Sequence, residues 1–422
     1  MTTSFATSKS PVKDVEAPGG PVSRTPADIE IGLLTGCQDR PYAFGLAMAL
    51  VARGVRVDVV GSDEVDSPEM HSSPGLHFLN LRGNQREEIN FTKKISRLLI
   101  YYAKLIRYAT RAKAKILHIL WNNKFEFFDR TVLMLYYKVL GKKIVLTVHN
   151  VNQARRDLND SLLNRLTLRT QYRLSDHFFV HTQKMKSELL EDFRVQEGAV
   201  TVIPFGINNA VPRTELTPSE AKRHLGIEAA EKAILFFGRI RPYKGLEHLL
   251  AAYQELVTRR PDCRLIIAGE PKKGSEKYLD EVQQTIRRVD SQHRIISKIQ
   301  FIPDSEMELY LKAADVLVLP YKEIFQSGVL FLAYSFGLPV VAADVGSFRE
   351  EIIEGKTGFL CNPGDAVDLA NAVERYFASD LYRNLANRRQ EISDYSHAQH
   401  SWSVVAERTV AAYAELLESQ PL

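Results

Sequence analysis

The segment FFGRIRPYKG, residues 236–245, places Arg239 and Lys244 in a glycine-flanked turn directly after an apolar run. An arginine forks onto phosphate oxygens, and a lysine adds a mobile point charge. Gly245 then opens a helix, whose first N–H groups and dipole favour an anion. Position supports phosphate binding; surface salt-bridging is the plainer alternative. A second seat of the same kind occurs in QSGVLFLAYSFG, residues 326–337, where Gln326 and Ser327 precede a helix start at Gly328. Glycine there lets a ligand approach bare backbone, and the alternative is an ordinary N-cap serine. Two such seats at equivalent points of one domain predict a diphosphate held from both sides.

Other polar groups carry less. EGKTG, 354–358, has the end of a P-loop, but Glu350 stands where that loop needs glycine. There is no G-x-G-x-x-G, which argues against a dinucleotide-dependent dehydrogenase. There is no D-x-D either, so the usual carboxylate pair for a divalent ion beside a nucleotide is missing. His118, His177 and His181 lie in or beside apolar strands and read as satisfied core residues. His149 ends the run IVLTV at its carboxyl edge, where a first-domain residue faces a cleft; a helix-capping or loop role fits that position equally.

Positioning these groups requires strands and helices in alternation. Strand signals run at 29–35, 55–61, 76–81, 116–120, 144–148, 177–181 and 200–204, and resume at 233–238, 263–269, 299–302, 315–320 and 339–343. Runs apolar throughout, separated by amphipathic stretches, imply parallel sheets covered on both faces. Ser305 and Glu308 have capping-box spacing. Residues 205–220 are turn-rich and strand-poor and read as a linker. The fold class is therefore α/β, with two doubly wound, Rossmann-like domains facing a cleft outside the strands' carboxyl ends. The boundaries expected are a disordered tail over 1–26, a first domain over 27–210 and a second over 211–400. A last helix spans 401–418.

At 422 residues two domains are the prior expectation. Hydrophobic content of 45% and charged content of 25% are those of a soluble globular protein, and a net charge of +4 does not indicate a nucleic-acid partner. Cys37, Cys263 and Cys361 form no C-x-x-C and suit a reducing compartment. The first 26 residues lack the apolar core of a signal peptide, and no apolar run approaches a membrane span, so a cytoplasmic location is expected. Residues 92–115 hold eight Lys/Arg and no acid, with apolar positions at 95, 98, 99, 102, 105, 106 and 109. That pattern fits a solvated helix packed on the first sheet. It also fits docking at the anionic inner face of a membrane, where a lipid-linked acceptor waits.

The combination of FFGRIRPYKGLEHLLAAYQEL, LIIAGEP, IQFIPDSEMELYLKAADVLVLPY and FGLPVVAADVGSFREEIIEGKTGFLCNPGD with KIVLTVHN and VTVIPFGIN resembles retaining glycosyltransferases of family 4, which have the GT-B fold. The likeness spans roughly residues 28–420, and its specific part is the second half. It implies a UDP- or GDP-sugar donor on the second domain and a glycan or lipid-linked acceptor on the first. It implies no cofactor and no metal, because Arg239 and Lys244 bind the diphosphate and stabilise the leaving group. Backbone N–H groups at Ser327, Gly328 and Val329 hold the distal phosphate. Gly269, Glu270 and the segment Phe301–Pro303, with Ile302 and Pro303, pack the base. His149 sits beside the donor sugar, Gly36 lies in a loop against the donor, and the terminal helix crosses back to the first domain. Exopolysaccharide or cell-envelope glycan assembly is the setting the likeness suggests.

The chain departs from the family pattern at one point. Many members carry two glutamates eight apart before G-x-P-V-V-A; the second position here is Leu332, and Glu323 is the carboxylate nearest the first. Glu323 is taken as a sugar contact, and no ribose-binding residue is carried over. Leu332 keeps open a non-catalytic nucleotide- or glycan-binding subunit of a synthase complex, and an epimerase or phosphorylase on the same architecture remains an alternative.

Overall fold

The structure, a computed structural model, describes residues 25–418 except 86–89, 124, 157–158, 208–210, 273 and 291–292. The expected tail over 1–26 lies outside the described residues but for its last two, as do 208–210 of the expected linker.

Seven parallel strands form the first sheet: β1 Glu30–Leu34, β2 Arg56–Gly61, β3 Leu76–Asn80, β4 Ile116–Ile119, β5 Lys143–Thr147, β6 His177–Val180 and β7 Val200–Val202. Their order is β3-β2-β1-β4-β5-β6-β7. Six more form the second sheet: β8 Lys232–Phe237, β9 Cys263–Ala268, β10 Ile295–Lys298, β11 Val316–Leu319, β12 Val340–Ala343 and β13 Gly358–Cys361. Here the order is β10-β9-β8-β11-β12-β13. Each sheet reverses its winding once, between β1 and β4 and between β8 and β11. Central strands are buried along their whole length, as sheets covered on both faces require.

Two apolar clusters cover the two faces of the first sheet. One is completed by the last helix, Trp402–Glu418, whose Trp402, Val405 and Tyr413 pack with Tyr42 and Leu46 of the helix Arg40–Ala52. Gly45 and Gly206 make that contact possible, because a Cβ at either would overlap the Trp402 indole. His118 is a satisfied core residue, as its setting predicts: its ring meets Tyr413 Oη at 2.5 Å and Thr147 Oγ1 at 2.7 Å. His177 likewise meets Thr201 Oγ1 at 2.9 Å.

Three local expectations change. The strand expected at 299–302 lies four residues earlier, because β10 pairs Ile295 to Leu265 and Lys298 to Ala268 and ends where β9 ends. The apolar Ile302 is instead buried beyond the strand. The capping box at Ser305 does not form: the helix Asp304–Ala313 has Pro303 at its N-cap, and Glu308 accepts from Thr214 N at 2.7 Å and Oγ1 at 2.8 Å. β13 was not anticipated; it is a four-residue edge strand starting at a glycine, too short to show a period.

Candidate active site

The loops at the carboxyl ends of both sheets' switch points converge on one cleft of about 420 Å³. This is where open α/β sheets bind ligands. The second sheet supplies Gly238 and Arg239 after β8, Gly269 and Glu270 after β9, Phe301 and Ile302 after β10, and Gly328 and Val329 after β11. The first supplies Asp39 and Tyr42 after β1. Trp402 of the last helix and Phe205 close it.

Lys244 sits beneath this wall. It ends the short 3-10 turn Pro242–Lys244 and is buried, with Nζ 5.1 Å from the Tyr321 ring centroid. Burial lowers its pKa to about 8, and Arg241 and Arg239 push the same way. The two seats read from sequence meet at Gly238: a Cβ there would lie 3.1 Å from Val329 Cγ2 and 3.2 Å from Lys244 Nζ. Gly238 has φ +99°, a conformation that favours glycine, and the space beside it is tight. Gly245 adopts φ +64° at the N-cap of the helix Leu246–Arg259, where a Cβ would overlap the Pro320 carbonyl. Arg239 is more than half exposed, and its guanidinium reaches Glu270 Oε1 at 2.9 Å. Ser327 occupies the N-cap of the helix Gly328–Ser335 without a side-chain capping bond. Beside it, both polar atoms of the Gln326 carboxamide are shielded from water and lack partners.

On the first-sheet side, His149 follows β5 and stacks flat on Trp121, with ring centroids 4.3 Å apart and planes within 2°. Tyr42 meets its ring edge-on at 4.7 Å, so the tyrosine that lines the cleft also contacts the histidine. His181, buried at the end of β6, sets the tautomer. Its Nδ1 faces the Ile203 carbonyl at 3.3 Å and so bears the proton, leaving Nε2 to accept from His149 Nδ1–H at 3.2 Å. His149 Nε2 is then a bare lone pair, shielded from water and unpartnered. Burial holds the His149 pKa well below the usual histidine range, reinforced by His181 and His118, so the ring is neutral at physiological pH. The expectation that His181 is only a core residue misses this contact.

Not every residue singled out in the sequence lines the cleft. Gly36, φ +58°, packs directly against the Trp121 backbone, beneath the ring that His149 stacks on. Pro303 caps the helix behind Ile302. Glu323 is exposed and lies near Glu188, whose pKa is raised by burial first, with Asp192 and Glu323 adding to it. Leu332 does line the cleft and is buried there, so an apolar side chain faces the ligand space. Tyr42, Phe205, Met307 and Trp402 were not singled out in the sequence. The first two come from apolar runs, and Trp402 arrives from a helix about 360 residues from Tyr42.

Residues 41–211 match the family profile described as Glycosyltransferase Family 4, and residues 231–379 match Glycosyl transferases group 1. The chain belongs to glycosyltransferase family 4. It is a transferase, and its chemistry is glycosyl transfer from a nucleotide-sugar. Among curated relatives, D-inositol 3-phosphate glycosyltransferase of Corynebacterium diphtheriae is 26% identical over 395 residues, covering 89% of this chain and 88% of that protein. The enzyme of the same name from Rhodococcus jostii is 23% identical, over 79% of this chain and 75% of its own. The fold is GT-B. It superimposes on sucrose-phosphate synthase of Thermosynechococcus elongatus with a TM-score of 0.73 and 20% identity, over 93% of this chain and 100% of that one. Anabaena HepE, solved in complex with UDP-glucose, gives 0.70 and 18% over the same shares.

Proposed function

We propose that this glycosyltransferase moves a hexosyl unit from a UDP- or GDP-sugar to a glycan or lipid-linked acceptor, with retention and without a divalent metal, in exopolysaccharide or cell-envelope glycan synthesis. The observation that carries the reading is the meeting of Lys244 Nζ and Val329 at Gly238, with Arg239 on the same cleft wall. Fixed cations and helix N–H groups there stabilise charge developing on the leaving diphosphate, the task a metal performs elsewhere. Gly269, Glu270 and Ile302 continue the wall as the seat of the base, with Pro303 behind it. His149, whose ring meets the cleft-lining Tyr42, is assigned to the sugar from the first-domain side. The attacking hydroxyl enters on the face the diphosphate leaves, which is how retention arises without an enzymic nucleophile. An apolar Leu332 in the cleft means that ribose is held by groups other than a glutamate at that position.

Two features bear on the acceptor. The helix Phe91–Arg111 exposes Ile95, Leu99 and Ile100 along its basic surface. It packs beside the helix Met134–Val139 through Thr110 Oγ1 and Tyr136 Oη at 2.7 Å. That neighbour exposes Leu135 and Val139, and the helix Leu162–Leu174 exposes Leu162, Leu163 and Leu166. A basic, apolar face of this kind suits an anionic bilayer. Among the described residues, no helix is long and apolar enough to cross one. The second reading, an inositol-phosphate acceptor, rests on the names of the full-length relatives.

A thermal-shift screen against UDP-, GDP- and ADP-sugars, with and without EDTA, tests the donor; proton NMR of the product reads the anomer. A shift that survives EDTA and a product of unchanged configuration are expected. Loss of the shift in EDTA, or inversion, overturns the proposal.

A further inference from the structure

Behind His149 lies a second cavity, of about 240 Å³, that the donor site does not use. Its wall is rich in carboxamides: Asn122, Asn123 and Gln171 are among the lining side chains. Asn122 and Gln171 are already paired, with Gln171 Nε2 donating to Asn122 Oδ1 at 2.7 Å and Asn122 Nδ2 returning to Gln171 Oε1 at 3.3 Å. Such pairs hold each other in fixed orientation and still keep acceptor lone pairs and N–H groups to spare. The only cation among the described lining residues, Arg130, has both terminal nitrogens engaged, while its buried Nε has no partner. Glu126 Oε2 holds it at 2.7 Å and Asn164 Oδ1 at 2.8 Å. The Glu126 carboxylate itself lines the cavity, and so does His149, whose Nε2 lone pair has no donor.

We infer that this cavity is the acceptor subsite and that it takes an uncharged polyol or sugar ring rather than a phosphorylated one. The inference rests on the transferase reading above and narrows its acceptor. A phosphate monoester is a cluster of acceptor oxygens with two negative charges, and beyond N–H donors it needs a cation to offset that charge. This wall has carboxamide N–H groups but no such cation: Arg130 is already paired with Glu126, and the Glu126 carboxylate and the bare His149 nitrogen oppose an anion. A ring hydroxyl brings the hydrogen that Nε2 lacks and also accepts from a carboxamide N–H, so each lone group finds its complement. Where the ring is carried by a lipid, the same pocket reads the ring alone.

Saturation-transfer NMR on the full chain with UDP present compares myo-inositol and methyl glucoside with inositol 3-phosphate and glucose 6-phosphate. The neutral rings are expected to bind at least about tenfold tighter, the scale of one lost hydrogen bond. Gln171→Leu should weaken them by about that factor. Glu126→Gln, on an exposed carboxylate, frees Arg130 and should move the preference toward the phosphorylated rings by several-fold, so the test does not depend on Gln171→Leu folding. Equal binding, binding of neither, tighter phosphate binding by the wild type, or an unmoved preference in Glu126→Gln overturns the inference. The UDP thermal shift separates the two failures. Its absence removes the donor reading, whereas its presence with a phosphate preference removes only the acceptor assignment.

Discussion

His149 lies flat on Trp121, 4.3 Å between ring centroids, and its Nδ1 is held by His181, so the orientation of one nitrogen is set from two sides. The outer nitrogen, Nε2, has no partner. If it receives a sugar hydroxyl, His149→Ala should lower kcat by roughly 10–100-fold, the equivalent of a buried hydrogen bond of ~1–3 kcal/mol. Burial keeps the ring neutral, so its own titration should leave the rate unchanged between pH 6 and 8. A wild-type rate rising through pH 6.5 that flattens in His149→Ala contradicts this account.

Lys244 is expected to make donor binding pH-dependent. Its pKa in the free protein is depressed to about 8 by burial, and a bound diphosphate raises it again. Affinity should therefore be greatest below pH 8 and fall as pH rises above it, by as much as about tenfold per unit. Calorimetric titration of the nucleotide diphosphate at pH 7 and pH 9 reads the difference. An equal affinity at both removes Lys244 from the site.

The same lysine carries a folding cost. A cation with a depressed folded pKa binds its proton more weakly than in the unfolded chain. Stability should thus rise with pH from about 8 toward the ordinary lysine value of 10.5. Lys244→Met, which keeps the volume and drops the charge, should melt higher than wild type at pH 7 yet fail to bind donor. Arg239→Ala, at an exposed position, should leave melting unchanged and raise the barrier to transfer by about 2–4 kcal/mol.

Gly45 shows where helix propensity loses to packing. Alanine for glycine in a helix interior ordinarily gains about 1 kcal/mol. Here the added methyl would overlap the Trp402 indole, and overpacking costs about 1–3 kcal/mol. Gly45→Ala should lower the melting temperature and, by displacing Trp402 from the cleft, weaken donor binding as well. A variant more stable than wild type would mean that the last helix yields at no cost.

The basic, apolar face should bring the protein to acidic liposomes at low salt, with binding lost as ionic strength rises. Leu99→Glu together with Leu135→Glu should abolish flotation without lowering the melting temperature, because both side chains are exposed. No flotation of the wild type at low salt ends the membrane reading.

Much of this was legible in the chain itself. Parallel strands announce themselves as apolar runs, so both sheets, their order of appearance and the switch-point loops could be read, and with them the Arg239–Lys244 turn and the Gly328 helix start. β10 slipped because an edge strand takes its register from β9, and no period within IQFI records that.

Tertiary structure alone decided the partnerships. Local sequence specifies which backbone shape a segment prefers, since that depends on neighbours three or four residues away. That His149 and Trp402 both pack on Tyr42 depends on contacts across up to about 360 residues, between side chains that look like ordinary core. The tautomer of His149 is likewise set by His181 and Ile203, residues whose roles appear only when β5, β6 and β7 lie side by side.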